Sequence, residues 1–270
     1  KRLHSVAIVR MKKFAAWLAR MVWACVLLAP AAQAQVCAAP GKDAPGTVGG
    51  VINRYHVGNN NRAVGDTTLT LGAASGAAGA VAVGDVLLII QMQGVTLNTS
   101  NDERYGDGVG TNNSRPGSSI SQANGYTALN NAGAYQFLRV TAAAGNNITF
   151  TPPLTSAYTQ NATSTTRRTY QVIRVPQYPS IPIDGANPVT PLPWNGLVGG
   201  VVAMDVAGRL TFTGTGPHIE ASNRGFRGGV QGVNNSEFPS ATLLYRGNDT
   251  VDGGSKGEGI GGTPQYVQTS

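Results

Sequence analysis

At 270 residues the chain has material for one large or two ordinary domains. Glycine, at 36 residues, is about twice its ordinary usage and charged residues, at 12%, about half of theirs, which argues against a disordered chain rich in charge and poor in apolar residues. The formal charge of +7 does not mark a nucleic-acid binder: six of the 20 basic residues precede residue 35, where there are no acids, and the other 14 face 13 acids.

The N-terminus reads as an address. Lys12, Lys13 and Arg20 precede the apolar run MVWACVLLA, followed by Pro30 and the small-residue end Ala32-Gln33-Ala34. A basic region, a short apolar stretch and an A-x-A site make a secretory signal peptide, with cleavage expected between Ala34 and Gln35. The run falls far short of the ~20 residues needed to span a bilayer, so no transmembrane span is expected in the mature chain. Residues 1–34 are thus an upstream extension plus signal, Met11 being the natural start, and the chain end at Ser270 reads as that of a fragment. Cys25 leaves with the signal. Cys37 then stands alone, which rules out an internal disulfide and a cysteine metal site in the mature chain.

From Val48 onward short strands alternate with Gly- and Asn-rich turns. VINRYHV (51–57) and TTLTL (67–71) come first. A Gly84-Asp85 turn then leads into Val86–Ile90, five consecutive apolar residues that read as a strand buried on both faces. AYQFLRVTA and NITFTPPL flank a hairpin turn at Gly145-Asn146-Asn147, and RTYQVIRVPQY reads as an alternating strand ended by Pro176. Residues 98–133 form a long polar loop. Residues 35–175 are therefore expected to be a small β-barrel or sandwich domain, and the proline-rich stretch 176–196 a stiff connector. Beyond it, strands at 201–206, 209–212 and 218–221 alternate with Gly, Asn or Asp corners, the rhythm of a parallel β-helix; a sandwich with short hairpins is the alternative. The fold class is all-β, with no helical stripe after residue 35.

These stretches also carry a resemblance. GDVLLIIQMQG, YQVIRVPQY, PWNGLVGGVVAMDVAGRLTF, NRGFRGG and GSKGEGIGGTPQYV resemble the N-terminal region of large bacterial secreted or surface proteins. Such proteins often continue into tandem immunoglobulin-like conserved repeats or glycine-rich solenoids. The resemblance implies an adhesin or surface-layer role and brings no catalytic residues.

Two catalytic patterns overlap near the end of the chain. Gly253 to Gly257 fits G-x-S-x-G around Ser255, and Gly257 to Gly262 fits G-x-G-x-x-G. A nucleophile elbow needs a histidine later in the chain, and none follows Ser255; the dinucleotide loop needs an acid about 20 residues on, and only eight residues follow Gly262. Both read as structural glycine, with Gly257, Gly259, Gly261 and Gly262 as corner or close-packed positions. Asp102, Asp107, Asp249 and Asp252 are the calcium candidates, although neither group has the spacing of a known calcium loop. His218 and Glu220 read as a hydrogen-bonded surface pair, since the H-x-E of a zinc deaminase lacks its P-C-x-x-C. Asp184, Asp205 and Glu220 are the carboxylates available for glycoside cleavage on a β-helix. The expected function is a secreted or cell-surface structural or adhesive protein without catalysis or cofactor, its partners being carbohydrate or surface components. The alternative is a secreted lyase or glycoside hydrolase on a β-helix scaffold.

Overall fold

A computed structural model describes residues 41–43, 48–97, 126–161, 167–228 and 258–261. The described residues are all-β, with no helix. The first strands are β1 (Arg54–Val57), β2 (Thr68–Thr70), β3 (Ala74–Gly76) and β4 (Val86–Gln93). After the short pair β5 (Thr96–Leu97) and β6 (Tyr126–Ala128) come β7 (Tyr135–Ala144), β8 (Asn147–Thr151) and β9 (Thr169–Val175). Seven of these form one antiparallel sheet in the order β2-β8-β7-β4-β9-β1-β3.

The apolar run in β4 sits at the centre, between β7 and β9, and is buried on both faces as its composition demands. The β7–β8 hairpin closes through the two residues Gly145 and Asn146, and Gly145 supplies a φ of 61° that a primed turn requires at its first position. On one face, Leu87 and Ile89 pack with Leu138, Phe150, Tyr170 and Val172, and Leu154 and Tyr158 cover them. On the other, Tyr55, Val86, Leu88, Ile173 and Val175 pack beneath Val198, Val201 and Ala203. β9 is therefore not the half-exposed alternating strand its sequence suggests. Its polar residues Thr169 and Gln171 are as buried as its apolar ones, because both faces of the sheet are covered.

The stretch 176–196 does more than connect. It carries β10 (Gln177–Tyr178) and β11 (Ile181–Asp184), which pair in parallel with β12 (Asp205–Val206) and β13 (Leu210–Thr213). Parallel bridges join Val48 to Ile183, Gly50 to Val189 and Val189 to Ile219. Three passes of the chain thus stack in parallel, beginning with residues 48–50. Of the strands expected after residue 197, the middle one forms as β13, the first shrinks to β12, and the last is reduced to the bridge at Ile219. The pairing is parallel throughout; among the described residues 197–221 form no antiparallel hairpin.

The wall 198–206 joins the two halves. Val201 and Ala203 turn toward the sheet, whereas Val202, Met204 and Val206 turn toward a separate core of Val48, Tyr178, Ile181, Ile183 and Val189. A segment apolar on both sides lies between two cores, so the Pro-rich stretch and the sheet belong to one compact unit.

Candidate functional site

The wall is held by polar side chains rather than by a ladder. Gln171, fully buried on β9, donates from Nε2 to Gly199 O at 3.0 Å and accepts from Gly199 N–H at 2.9 Å. Asn53 repeats the device: Nδ2 donates to Ala203 O at 2.6 Å and Oδ1 accepts from Ala203 N–H at 3.0 Å. On the opposite face Gln91 clamps Thr159 in the same way, at 2.9 and 2.8 Å. A side-chain amide matches a peptide group donor for acceptor, so each clamp satisfies two buried peptide groups of a covering segment at once. At Gly199 the approach is so close that a Cβ would lie 2.6 Å from Pro193 O, and φ is 112°; both demand glycine. Tyr55 adds a third tie, donating to Val201 O at 2.6 Å and accepting from Leu192 N–H at 3.2 Å. Burial pushes its hydroxyl up to about 12, against the smaller pull of the Leu192 bond, so it stays protonated and able to donate.

A charge cluster ties residues 41–43 to the sheet. Asp85, at the turn into β4, has no exposed side-chain surface. Arg174 on β9 grips it with two bonds of 3.0 Å, and Lys42 donates to it as well. Arg174 also reaches Asp43 at 2.5 Å, and Asp43 exchanges bonds with the Gln177 backbone at 2.7 and 2.8 Å. Burial alone would raise the Asp85 carboxyl; the bonds from Arg174, Lys42 and the Ala82 N–H outweigh it and hold it below the usual range. Two acids and two bases balance, so the cluster is electrically closed. It anchors residues 41–43 to the sheet.

His56 is the other buried titratable group. Its Nδ1 faces Gly72 O at 3.2 Å, which makes Nδ1 the donor, and Nε2 has no partner. Burial pushes it toward the neutral form, Arg54 adds to that, and the Gly72 bond opposes both.

The third feature is the last pass of the parallel ladder. Leu210 pairs with Ile181, Phe212 with Ile183 and Ile219 with Val189. Partners in a parallel ladder point the same way, so all three continue inward columns. Yet Phe212 is 54% exposed while Ile183 beneath it is fully buried. The result is an apolar end surface, with His218 tilted against Phe212 at 4.8 Å between ring centroids.

The residues singled out from the sequence fall otherwise. His218 and Glu220 do not bond each other: His218 Nε2 meets Thr213 O at 2.9 Å, and Glu220 accepts from Ser222 N–H at 2.7 Å. On a single-residue bridge there is no extended strand to bring positions 218 and 220 onto one face. Asp184 accepts from Ala186 N–H and closes a turn, while Asp205 lies opposite Gln177 in another ladder. Gly259 has open space where a Cβ would sit and no positive φ, so it is not a required corner. Its carbonyl accepts from Gln93 Nε2 at 3.1 Å, and Ile260 O accepts from the N–H groups of Gly94 and Val95. Glu258 pairs with Arg227 at 2.6 Å. Asp102, Asp107, Asp249, Asp252, Ser255, Gly257, Gly262, both cysteines and the cleavage point Ala34/Gln35 lie outside the described residues. Among the described residues no three His, Cys, Asp or Glu gather as metal ligands would, and no helix is long and apolar enough to cross a membrane. The amide clamps and the charge cluster have no local signal in the sequence, where Gln, Asn and single charges look like surface.

Comparison with the models of known families, with curated proteins and with solved structures finds no match for this chain.

Proposed function

We propose that this chain is a secreted or cell-surface structural and adhesive protein, in which an antiparallel sheet module serves as the base of a parallel β-helix. The observation that carries the reading is the parallel stacking of three passes, Val48 over Ile183 over Phe212 and Gly50 over Val189 over Ile219. A repeat of that kind grows by adding coils, each contacting only its neighbours, and so builds a rod rather than a pocket. The buried amides support a structural role, since Asn53, Gln91 and Gln171 all serve peptide groups. Export rests on the basic region, apolar run and A-x-A site before Gln35.

The test is expression of the full chain in a bacterial host, followed by cell fractionation, surface protease treatment and N-terminal sequencing. The expected product starts at Gln35, lies outside the cytoplasm and is cut by protease added to intact cells. Cytoplasmic material beginning at Met11 or Met21 refutes export. Release of reducing or unsaturated sugar from a polysaccharide panel by the purified protein overturns the non-catalytic part.

A further inference from the structure

The wall covers only part of the sheet face on which it lies. Val86 and Leu88 of β4 pack beneath it, and Leu88 is 6% exposed. Their direct partners on β7, Arg139 and Phe137, stand in the open, Phe137 at 42% and its outward neighbour Tyr135 at 64%. Leu69, Leu138, Ile148 and Phe150 point into the opposite core. Alternation along the strands therefore sets Thr149 and Thr151 of β8, and Thr68 and Thr70 of β2, on this same open face. A cavity of about 340 Å³ lies against these strands, lined among others by Arg62, Thr68, Thr70, Asn147 and Thr149.

The composition of the face selects its partner. A stable protein interface buries about 800 Å² on each side around an apolar centre. Here two rings stand among hydroxyls, an amide and a guanidinium, which is too little apolar surface for such a centre. The rings of Tyr135 and Phe137 meet edge to face, 6.3 Å between centroids, and an aromatic face attracts the weakly positive C–H groups of a sugar ring. Threonine hydroxyls both donate and accept, as sugar hydroxyls do. The charge is one-sided as well: Arg139 has no ion pair among the described residues, Arg62 borders the cavity, and β2, β7 and β8 hold no acid. Cations without a neighbouring carboxylate complement a polymer that carries its own. Outward residues on one strand stand about 7 Å apart, so Tyr135 to Arg139 span about 14 Å, a length for a chain of sugars rather than a single one.

We propose that the open face of β2, β8 and β7 binds an acidic polysaccharide. Tyr135 and Phe137 take the C–H faces of the sugars, Arg139 a carboxylate and the threonines the hydroxyls. The inference rests on the adhesive reading above and gives it a ligand class and a face.

The test is native affinity electrophoresis of the full chain in gels containing polygalacturonate, with dextran as the neutral comparison. Polygalacturonate is expected to retard the chain and dextran to have little effect. Tyr135→Ala with Phe137→Ala should weaken the binding at least ~10-fold. Arg139→Gln should weaken it and flatten its dependence on salt. Thr151→Glu, which sets a carboxylate opposite Arg139, should abolish it with both rings in place. All these positions are exposed, and thermal unfolding like that of the parent chain is the check that each variant folds. Equal retardation by both polymers, or binding unchanged in all three variants, overturns the proposal. So does the absence of any retardation by polygalacturonate. Concentration-dependent dimers in sedimentation velocity that Tyr135→Ala with Phe137→Ala abolishes would assign the face to a second copy and overturn it too. Failure in the gel leaves the export test of the proposed function untouched, so the two readings fail separately.

Discussion

The sheet and the parallel ladder are built from similar residues and solve burial in opposite ways. In the sheet, strands from across the chain close around β4, and segments without regular structure cover both faces. In the ladder each pass covers the one before it. Ile173 and Ile183 are both fully buried, but Ile173 is enclosed by the sheet and its wall, whereas Ile183 is enclosed by the passes on either side, Val48 and Phe212. A sheet finishes itself; a ladder always owes its last pass a cover. The polar devices follow the same division. The clamps lie where irregular chain meets the sheet and no ladder of peptide bonds is available, while the ladder rests on backbone pairing and apolar columns with a few side-chain bonds such as Arg209 N–H to Ser180 Oγ.

Four measurements press on that contrast, the largest effect first. Asp85→Ala takes the buried carboxylate away from Arg174 and Lys42 at the end of the central strands β4 and β9 and is expected to cost about 3–5 kcal/mol in urea unfolding. A loss below 1 kcal/mol would mean that the cluster is solvated and does not anchor residues 41–43. Gln171→Ala removes one clamp, leaves the Gly199 peptide unpaired on both sides and should cost about 2–3 kcal/mol. Hydrogen exchange at the Gly199 amide should speed up in that variant; unchanged exchange would show that the wall is held by packing alone.

The third concerns acid. The folded state lowers the His56 pKa, so below about 6.5 the unfolded chain takes up a proton that the folded chain refuses, and stability falls as pH drops through that range. Asp85 is also lowered, so its contribution is intact above the ordinary carboxylate value of about 3.9 and is lost only below it, as pH falls through the folded value. Between pH 7 and 5 the loss should therefore belong to His56, and His56→Asn, which keeps a donor for Gly72 O, should flatten it. An equal slope in the variant would place the titration elsewhere. The smallest effect is expected at Thr211→Ala, an outward position on β13, within about 0.5 kcal/mol. A larger loss in thermal unfolding would mean that the outer side of the ladder is also covered.

How far the sequence announced these features depends on how local their causes are. The β4 run and the Gly145 turn are legible because five apolar residues and a Gly-Asn pair carry their own conformational reasons. The two-sided burial of β9 is not, since Thr169 and Gln171 find partners in Gln93 and Gly199, far along the chain. The charge cluster joins residues 43 and 131 positions apart, at Lys42–Asp85 and Asp43–Arg174, and no periodicity encodes such a meeting. The short strands after residue 197 are legible in part, as β12 and β13, but their parallel partners in 177–189 are not, because prolines there read as a connector and the pairing spans about 30 residues. His218 and Glu220 misled because an H-x-E on a strand differs from an H-x-E at a bridge only in its neighbours' pairing.

The first pass of the ladder lies upstream of the sheet, at Val48 and Gly50, and the passes that stack on it lie downstream. Asn53 likewise waits for Ala203, 150 residues later. A chain emerging N-terminus first therefore carries an exposed seed through the whole of sheet formation, and the ladder begins only after β9 has closed. Its growth is then templated and sequential, each pass finding a finished edge beneath it. Such an order gives residues 177–219 a finished sheet and the stretch 48–50 to pair against.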